Sequence, residues 1–246
     1  MRELIGTGYA ARWVDDKGHA WTVGKPGMSS IAKGMAVGLD VRLGTQIKAI
    51  NAEDQAGWRL HYDDTDLAAS HVVVTVPQQQ VASLLGDAHQ LVPHIADVKM
   101  APVLTLMAAV SGTVPFAYSN TSGGPLGLIT RECGKPDRPQ NAGSAWVVHA
   151  GIEFSMAHLE MDQPDIAVLM VPLLCERLGI TTDRVTHAVA HRWRYARVSN
   201  ALGQPFVSIP SGTLYLGGDW CIGPQIEDAW TSGTAIATDM LERGLC

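Results

Sequence analysis

The chain has 246 residues, 46% of them hydrophobic, and a formal net charge of −6, enough to bury a sizeable core in one large domain or two modest ones. The acidic balance excludes nucleic acid as an expected partner, since a phosphate backbone calls for a basic patch. The longest apolar stretch, Met100 to Val110, contains Pro102 and falls short of the ~20 residues a bilayer crossing needs; Arg2 and Glu3 introduce no apolar leader, so the expected location is the cytoplasm.

In chain order, Gly6-Thr7-Gly8-Tyr9-Ala10-Ala11 matches the letters of a dinucleotide fingerprint. That fingerprint needs a buried strand before it and a helix after it. Only Met1 to Ile5 precede it, and Arg12 to Gly18 reads as a strand entering a turn, with His19 to Val23 returning as a hairpin. Lys25 to Ser30 introduces a helix with Ser29 or Ser30 as N-cap and Ile31, Met35 and Leu39 on its apolar face. Strands are expected over Val41–Leu43, Gln46–Ile50 and Trp58–Tyr62, with a turn across Asn51 to Gly57. His71 to Pro77 is a near-continuous β-branched run, the pattern of a strand buried on both faces of a parallel sheet.

From Gln78 to Ser211 the pattern is mixed. A helix follows Pro77, Val103 to Val110 forms an apolar run, and Thr113 to Gly143 is Pro/Gly-rich and reads as loop. Ser144 to His149 is a strand, Asp165 to Leu178 an apolar helix that tolerates Pro172 as a kink, and Thr186 to Tyr195 another strand. Alternation puts His191, Trp193 and Tyr195 on one face of that strand and Arg192 and Arg194 on the other. The aromatic face would serve either a flat substrate or a cross-strand packing ladder.

The stretch from Thr213 to Leu241 carries the most information. Leu214-Tyr215-Leu216 reads as a strand, and Gly217-Gly218 breaks it where positive φ or a close approach is needed. A polar loop from Asp219 to Gln225 leads into a helix with Ala229, Gly233, Ala237 and Leu241 four residues apart. Glycine inside a helix costs roughly 1 kcal/mol against alanine, so Gly233 points to a neighbour lying close against that face. The helix start also favours negative charge. Cys133, Cys175, Cys221 and Cys246 show no zinc or C-x-x-C spacing; Cys221, beside Trp220, would be a small buried thiol or a redox or flavin-linking group. No metal cluster is expected.

The GGD and EDAW segments closely resemble the C-terminal flavin-binding motif of the flavin-dependent amine oxidase superfamily, especially its bacterial renalase-like members. PGMSSIAKGM, LDVRLGTQIKAI, GWRLHY, HVVVTVP, WVVHA and HRWRYA extend the resemblance along almost the whole chain. It implies FAD as cofactor, with Gly218 and Asp219 at the ribityl–pyrophosphate region and the helix at Ile226, Glu227 and Ala229 near the flavin pyrimidine edge. Ile47 matches a position whose backbone meets the adenine, with core packing as the alternative. His191, Trp193 and Tyr195 would bind substrate, and no catalytic residue is assigned. Asp228 stands where the family usually has glycine.

The resemblance further implies a mixed α/β (α+β) fold: an incomplete FAD-binding Rossmann-like domain from 1–90 and 205–246, and an inserted substrate domain on a mixed β-sheet from 91–204. The family's opening strand–GxGxxG–helix segment has no counterpart in the sequence, so Leu214–Leu216 is expected to expose a sheet edge open to self-association. The implied function is hydride transfer to FAD from a dihydronicotinamide-like or amine substrate, with O2 as acceptor. The alternative is a flavin-less remnant acting as a binding module. A small-molecule substrate is the expected partner, and no membrane.

Overall fold

The computed structural model describes residues 2–15, 18–53, 57–115, 118–120, 123–139 and 143–245. In chain order the elements are α1 (Arg2–Gly6), β1 (Ala10–Val14), β2 (Ala20–Gly24), α2 (Ser29–Met35), β3 (Ile47–Glu53), β4 (Gly57–Tyr62), β5 (Thr65–Ala69), β6 (Val72–Val74) and α3 (Gln78–Leu85). There follow β7 (Lys99–Ser111), β8 (Tyr118–Asn120), β9 (Leu126–Arg131), β10 (Gly143–Ala150), α4 (Ile152–Ala157), α5 (Gln163–Leu178), β11 (Val185–Asn200), β12 (Val207–Ser208), β13 (Leu214–Leu216) and α6 (Ile226–Glu242). This is the mixed α/β architecture expected. No helix among the described residues is long and apolar enough to cross a membrane.

Packing divides the chain into one unit of residues 1–41 and 102–194 and another of 42–101 and 195–246. The expected division grouped 1–90 with 205–246, whereas the first 41 residues pack with 102–194. The tie is polar: Arg138 Nη1 donates to the Gly24 carbonyl at 3.2 Å, Lys25 pairs with Asp137 at 3.2 Å, and the Lys135 ammonium lies 5.8 Å from the Trp13 ring centroid.

In the first unit, β1 and β2 form the expected hairpin, though Asp16 and Lys17 at its tip lie outside the described residues. The larger sheet has the order β11-β7-β10-β9-β8. Leu104, Leu106, Val110, Trp146 and Val148 form a core with Ile166, Met170 and Leu174 of α5. The four-residue spacing of those helical residues explains why α5 forms and which face it buries. Pro172 sits on its exposed side, and Gly179 ends it at φ 64, with Ile180 N–H donating to the Cys175 carbonyl, as left-handed C-caps do. The stretch Thr113 to Gly143, expected as loop, carries β8 and β9 on the far side of the sheet; residues 140–142 within it lie outside the description.

Helix α2 differs in detail from its expectation. Its N-cap is Met28, and Ser29 and Ser30 are its first helical residues. Ile31 is buried, but Met35 and Leu39 are exposed, because the face pressed inward is that of Gly34, where an added Cβ would meet the Tyr9 ring at 2.6 Å. Residues 41–43 form no strand.

The second unit holds two sheets. Strands β3, β4 and β5 form an antiparallel meander; β3 runs through Glu53, so Asn51 to Glu53, expected as turn, are strand, and residues 54–56 lie outside the described residues. The other sheet has the order β12-β13-β6. Leu214, Tyr215 and Leu216 are fully buried, pairing parallel with Val72–Val74 and antiparallel with Val207–Ser208. The expectation that Leu214–Leu216 exposes a sheet edge is therefore overturned: β13 is the middle strand. Among the described residues β6 and β12 are the edge strands of this sheet; the Val72 N–H and Val74 carbonyl of β6 bond toward β13, and Val73 is 42% exposed.

Candidate functional site

Strand β13 stops where the chain must pass under α6. An added Cβ at Gly217 would come within 2.5 Å of Ile236 Cδ1 and 2.9 Å of Ser232 Oγ. Gly218, at φ 143, adopts a conformation side chains avoid, and its Cβ would meet Trp220 Nε1 at 2.9 Å. The bend is held from several sides. Gly217 N–H donates to the Val74 carbonyl at 3.0 Å and Gly218 N–H to the buried Ser232 hydroxyl at 2.9 Å. Trp220 Nε1 reaches the Val76 carbonyl at 3.1 Å, and at the far end of α6 Asp239 accepts from Tyr215 at 2.6 Å and Arg243 at 2.7 Å.

This bracing leaves a groove of about 440 Å³ along α6, bounded by Val73, Thr75, Gly218, Asp219, Ser232 and Ile236. Ala229, Gly233 and Ala237 line it too, with Met240 rather than the expected Leu241. An added Cβ at Gly233 would meet nothing within 4 Å, so the glycine leaves room for something outside the fold. Asp219 borders the groove. Burial pushes its carboxyl above the usual carboxylate range, against the Trp220 N–H it accepts at 2.8 Å, and the Asp228 carboxylate pushes the same way.

Among the sequence-derived cofactor residues, Gly218, Asp219 and Ala229 come together in this groove. Ile226 and Glu227 occupy the first turn of α6 and are exposed, outside the groove lining. Ile47 lies on β3, half-buried against the core of the second unit. In the first unit His191 and Trp193 pack edge-to-face with ring centroids 4.3 Å apart; Tyr195 falls in the second unit. The cationic face of that strand is already occupied: Arg194 makes a bidentate pair with Glu160 at 2.6 and 2.9 Å, and Arg192 donates to the Leu159 carbonyl.

Asp228 has a structural reason. Its carboxylate accepts the Gln225 N–H at 2.9 Å, forming the capping box that starts α6, and it supplies the negative charge that this helix end favours. Asp228→Gly should therefore lower stability by about 1–2 kcal/mol, from the lost cap and a glycine in the first turn; an unchanged urea midpoint would remove this account. Cys221 is fully buried, and burial pushes its thiol up to about 12, which withdraws it from redox or flavin-linking chemistry. Cys246 lies outside the described residues. Among the described residues no cluster of His, Cys, Asp or Glu is arranged to hold a metal.

Sequence reasoning missed Val73, Thr75, Ser232 and Ile236. Val73 was expected to be buried on both faces; it opens onto the groove because nothing pairs with β6 on that side among the described residues.

A parallel strand pair, a glycine bend with a half-buried acid, and a small-faced helix beside a groove share the strand–turn–helix layout of dinucleotide-binding folds. The chain belongs to the flavin containing amine oxidoreductase family, whose model matches residues 6–241. It is similar in fold to a protein from Exiguobacterium sp. 255-15 assigned as a protoporphyrinogen oxidase, with TM-score 0.69, 18% identity, and 93% of this chain and 54% of that chain covered. Cyclohexylamine oxidase from Brevibacterium oxydans IH-35A gives 0.67, 14%, 94% and 56%, and putrescine oxidase bound to putrescine gives 0.62, 15%, 90% and 54%. The chain thus spans about half the length of the solved structures it matches.

Proposed function

We propose that this chain forms the flavin- and substrate-holding portion of an FAD-dependent oxidoreductase of renalase-like type, which takes a hydride from a dihydronicotinamide-like or amine substrate, with O2 as the final acceptor. The observation that carries this reading is the groove between β6 and α6, whose helix wall is kept free of a side chain at Gly233 while Asp219 stands at its rim. A bound flavin supplies the hydride-accepting ring. The chain's own residues do the rest. Asp219 accepts hydrogen bonds from cofactor hydroxyls, and such donors stabilise the carboxylate that burial disfavours. The Ala229–Gly233–Ala237 row admits a flat or backbone-like group, and Val73, Ile236 and Met240 present apolar surface that excludes water from it. The aromatic pair His191 and Trp193 serves the substrate.

The phosphates need more backbone donors than this groove's rim supplies. We assign that task to a strand–GxGxxG–helix segment paired with the open edge of β6, where Val73 presents its backbone; Met1–Cys246 alone should then bind FAD weakly and self-associate through that edge. Supplying such a segment should recover yellow colour and a monodisperse protein.

Asp219→Ala tests the central assignment. FAD affinity should fall about tenfold or more, as for a lost hydrogen bond to a charged group, while Asp219→Asn, which keeps an acceptor for Trp220 N–H, should lose less. If fluorescence titration shows Asp219→Ala binding FAD as the parent does, the cofactor is not held here.

A further inference from the structure

The end of helix α2 opens a row of apolar side chains that the fold leaves in water: Met35 is 48% exposed, Val37 68%, Leu39 68%, Val41 53% and Leu43 88%. They recur every second residue, the period that puts side chains on one face of a strand. Yet 41–43 form no strand, and among the described residues neither Val41 nor Leu43 has a backbone hydrogen-bond partner. A strand needs a neighbour to take up its N–H and C=O groups. The stretch 39–43 also has matched ends, Gly38 at φ 86 and Gly44 at φ 69, where the chain can turn aside.

We propose that 39–43 becomes a strand by pairing antiparallel with 39–43 of a second copy of this chain, about a two-fold axis at Val41. Leu39-Asp40-Val41-Arg42-Leu43 is complementary to itself in that register. Leu39 faces Leu43 of the copy, Val41 faces Val41, Gly38 faces Gly44, and Asp40 faces Arg42 twice, as an isologous contact requires. Leu39, Val41 and Leu43 of both chains then share one side of the ladder and the two charge pairs the other. Sliding the copy by two residues either way sets Asp40 against Asp40 or Arg42 against Arg42, and like charges directly opposite are destabilising. Asp40 and Arg42 already take part in interactions within the chain, so the pairs across the axis fix the register while burial of the apolar row drives association. The contact is small, so dimerisation is weak and depends on concentration. It uses none of the β6 edge and does not depend on flavin.

Sedimentation of the full chain carrying Val73→Lys, which blunts the β6 edge, isolates this contact. That protein should pass from monomer to dimer as its concentration rises. Asp40→Arg or Arg42→Asp, added singly, should weaken the dimer about tenfold, since two attractive pairs turn repulsive at ordinary cross-strand strength; added together they should restore it. Both side chains are exposed, so these variants should fold. In the parent chain, Val41→Cys should give a disulfide-linked dimer on mild oxidation, above the baseline of the chain's own thiols, because paired Cα atoms across a ladder lie within disulfide reach. The inference is overturned if the Val73→Lys protein stays monomeric, if its dimer ignores the single charge reversals, if the double reversal fails to restore it, or if Val41→Cys does not cross-link. A monomer in which a supplied strand–GxGxxG–helix segment protects 39–43 from hydrogen exchange would overturn it as well, and would assign the apolar row to that segment.

Discussion

Gly233→Leu is expected to abolish the chain's weak FAD binding, read by titration, while making the protein more stable. The glycine lies within α6, where it costs about 0.8–1.0 kcal/mol relative to a good helix former. An added Cβ there meets no atom within 4 Å, so a leucine side chain enters the groove instead of colliding with the fold. Recovering most of the helix penalty should raise the melting temperature by about 2–4 °C for a protein of this size. The same side chain fills the space beside Ala229 and Ala237 that a flat cofactor would need. Thr238→Leu, on the same helix but outside the groove lining, is the control and should bind FAD as the parent does. A Gly233→Leu protein that still binds FAD would show that the groove is not the cofactor site; one that unfolds would show that the glycine serves packing.

Trp220→Ala should be among the most damaging single changes in the second unit. Trp220 is 1% exposed and belongs to the core with Val72, Val74, Leu214 and Leu216, so truncation should cost about 3–5 kcal/mol. The loss also frees the bend. Its indole N–H no longer ties the turn to the Val76 carbonyl, and the ring no longer backs Gly218. Asp219 would lose its fixed position, so FAD affinity should fall along with stability. Trp220→Phe keeps most of the packing and gives up mainly the hydrogen bond, a difference of about 1 kcal/mol. Denaturant midpoints for both variants, with FAD titration of whatever remains folded, check the pair; a loss under about 1 kcal/mol for Trp220→Ala would contradict the packing argument.

The legible part of the site was the segment whose chemistry is local. Two consecutive glycines, an acid and small residues four apart announce a bend and a helix with an open face, because backbone freedom and helical period act over a few residues. Gly218, Asp219 and Ala229 lie in that segment and line the groove. Asp228 shows the limit of reading one position: along the sequence it is only a departure from the family motif, whereas in the fold its carboxylate caps the helix through Gln225.

The kind of element is legible along the chain: the β13 bend, the small face of α6, the apolar helix α5 and the alternation along β11. Only the tertiary structure decided which neighbours those elements meet. The run at 71–77 reads as doubly buried, yet Val73 opens onto a groove, because β6 pairs with β13 on one side alone. Leu214–Leu216 became the central strand through pairing with Val72–Val74 and Val207–Ser208. Propensity and period act along the chain, whereas pairing and burial depend on residues far away in sequence.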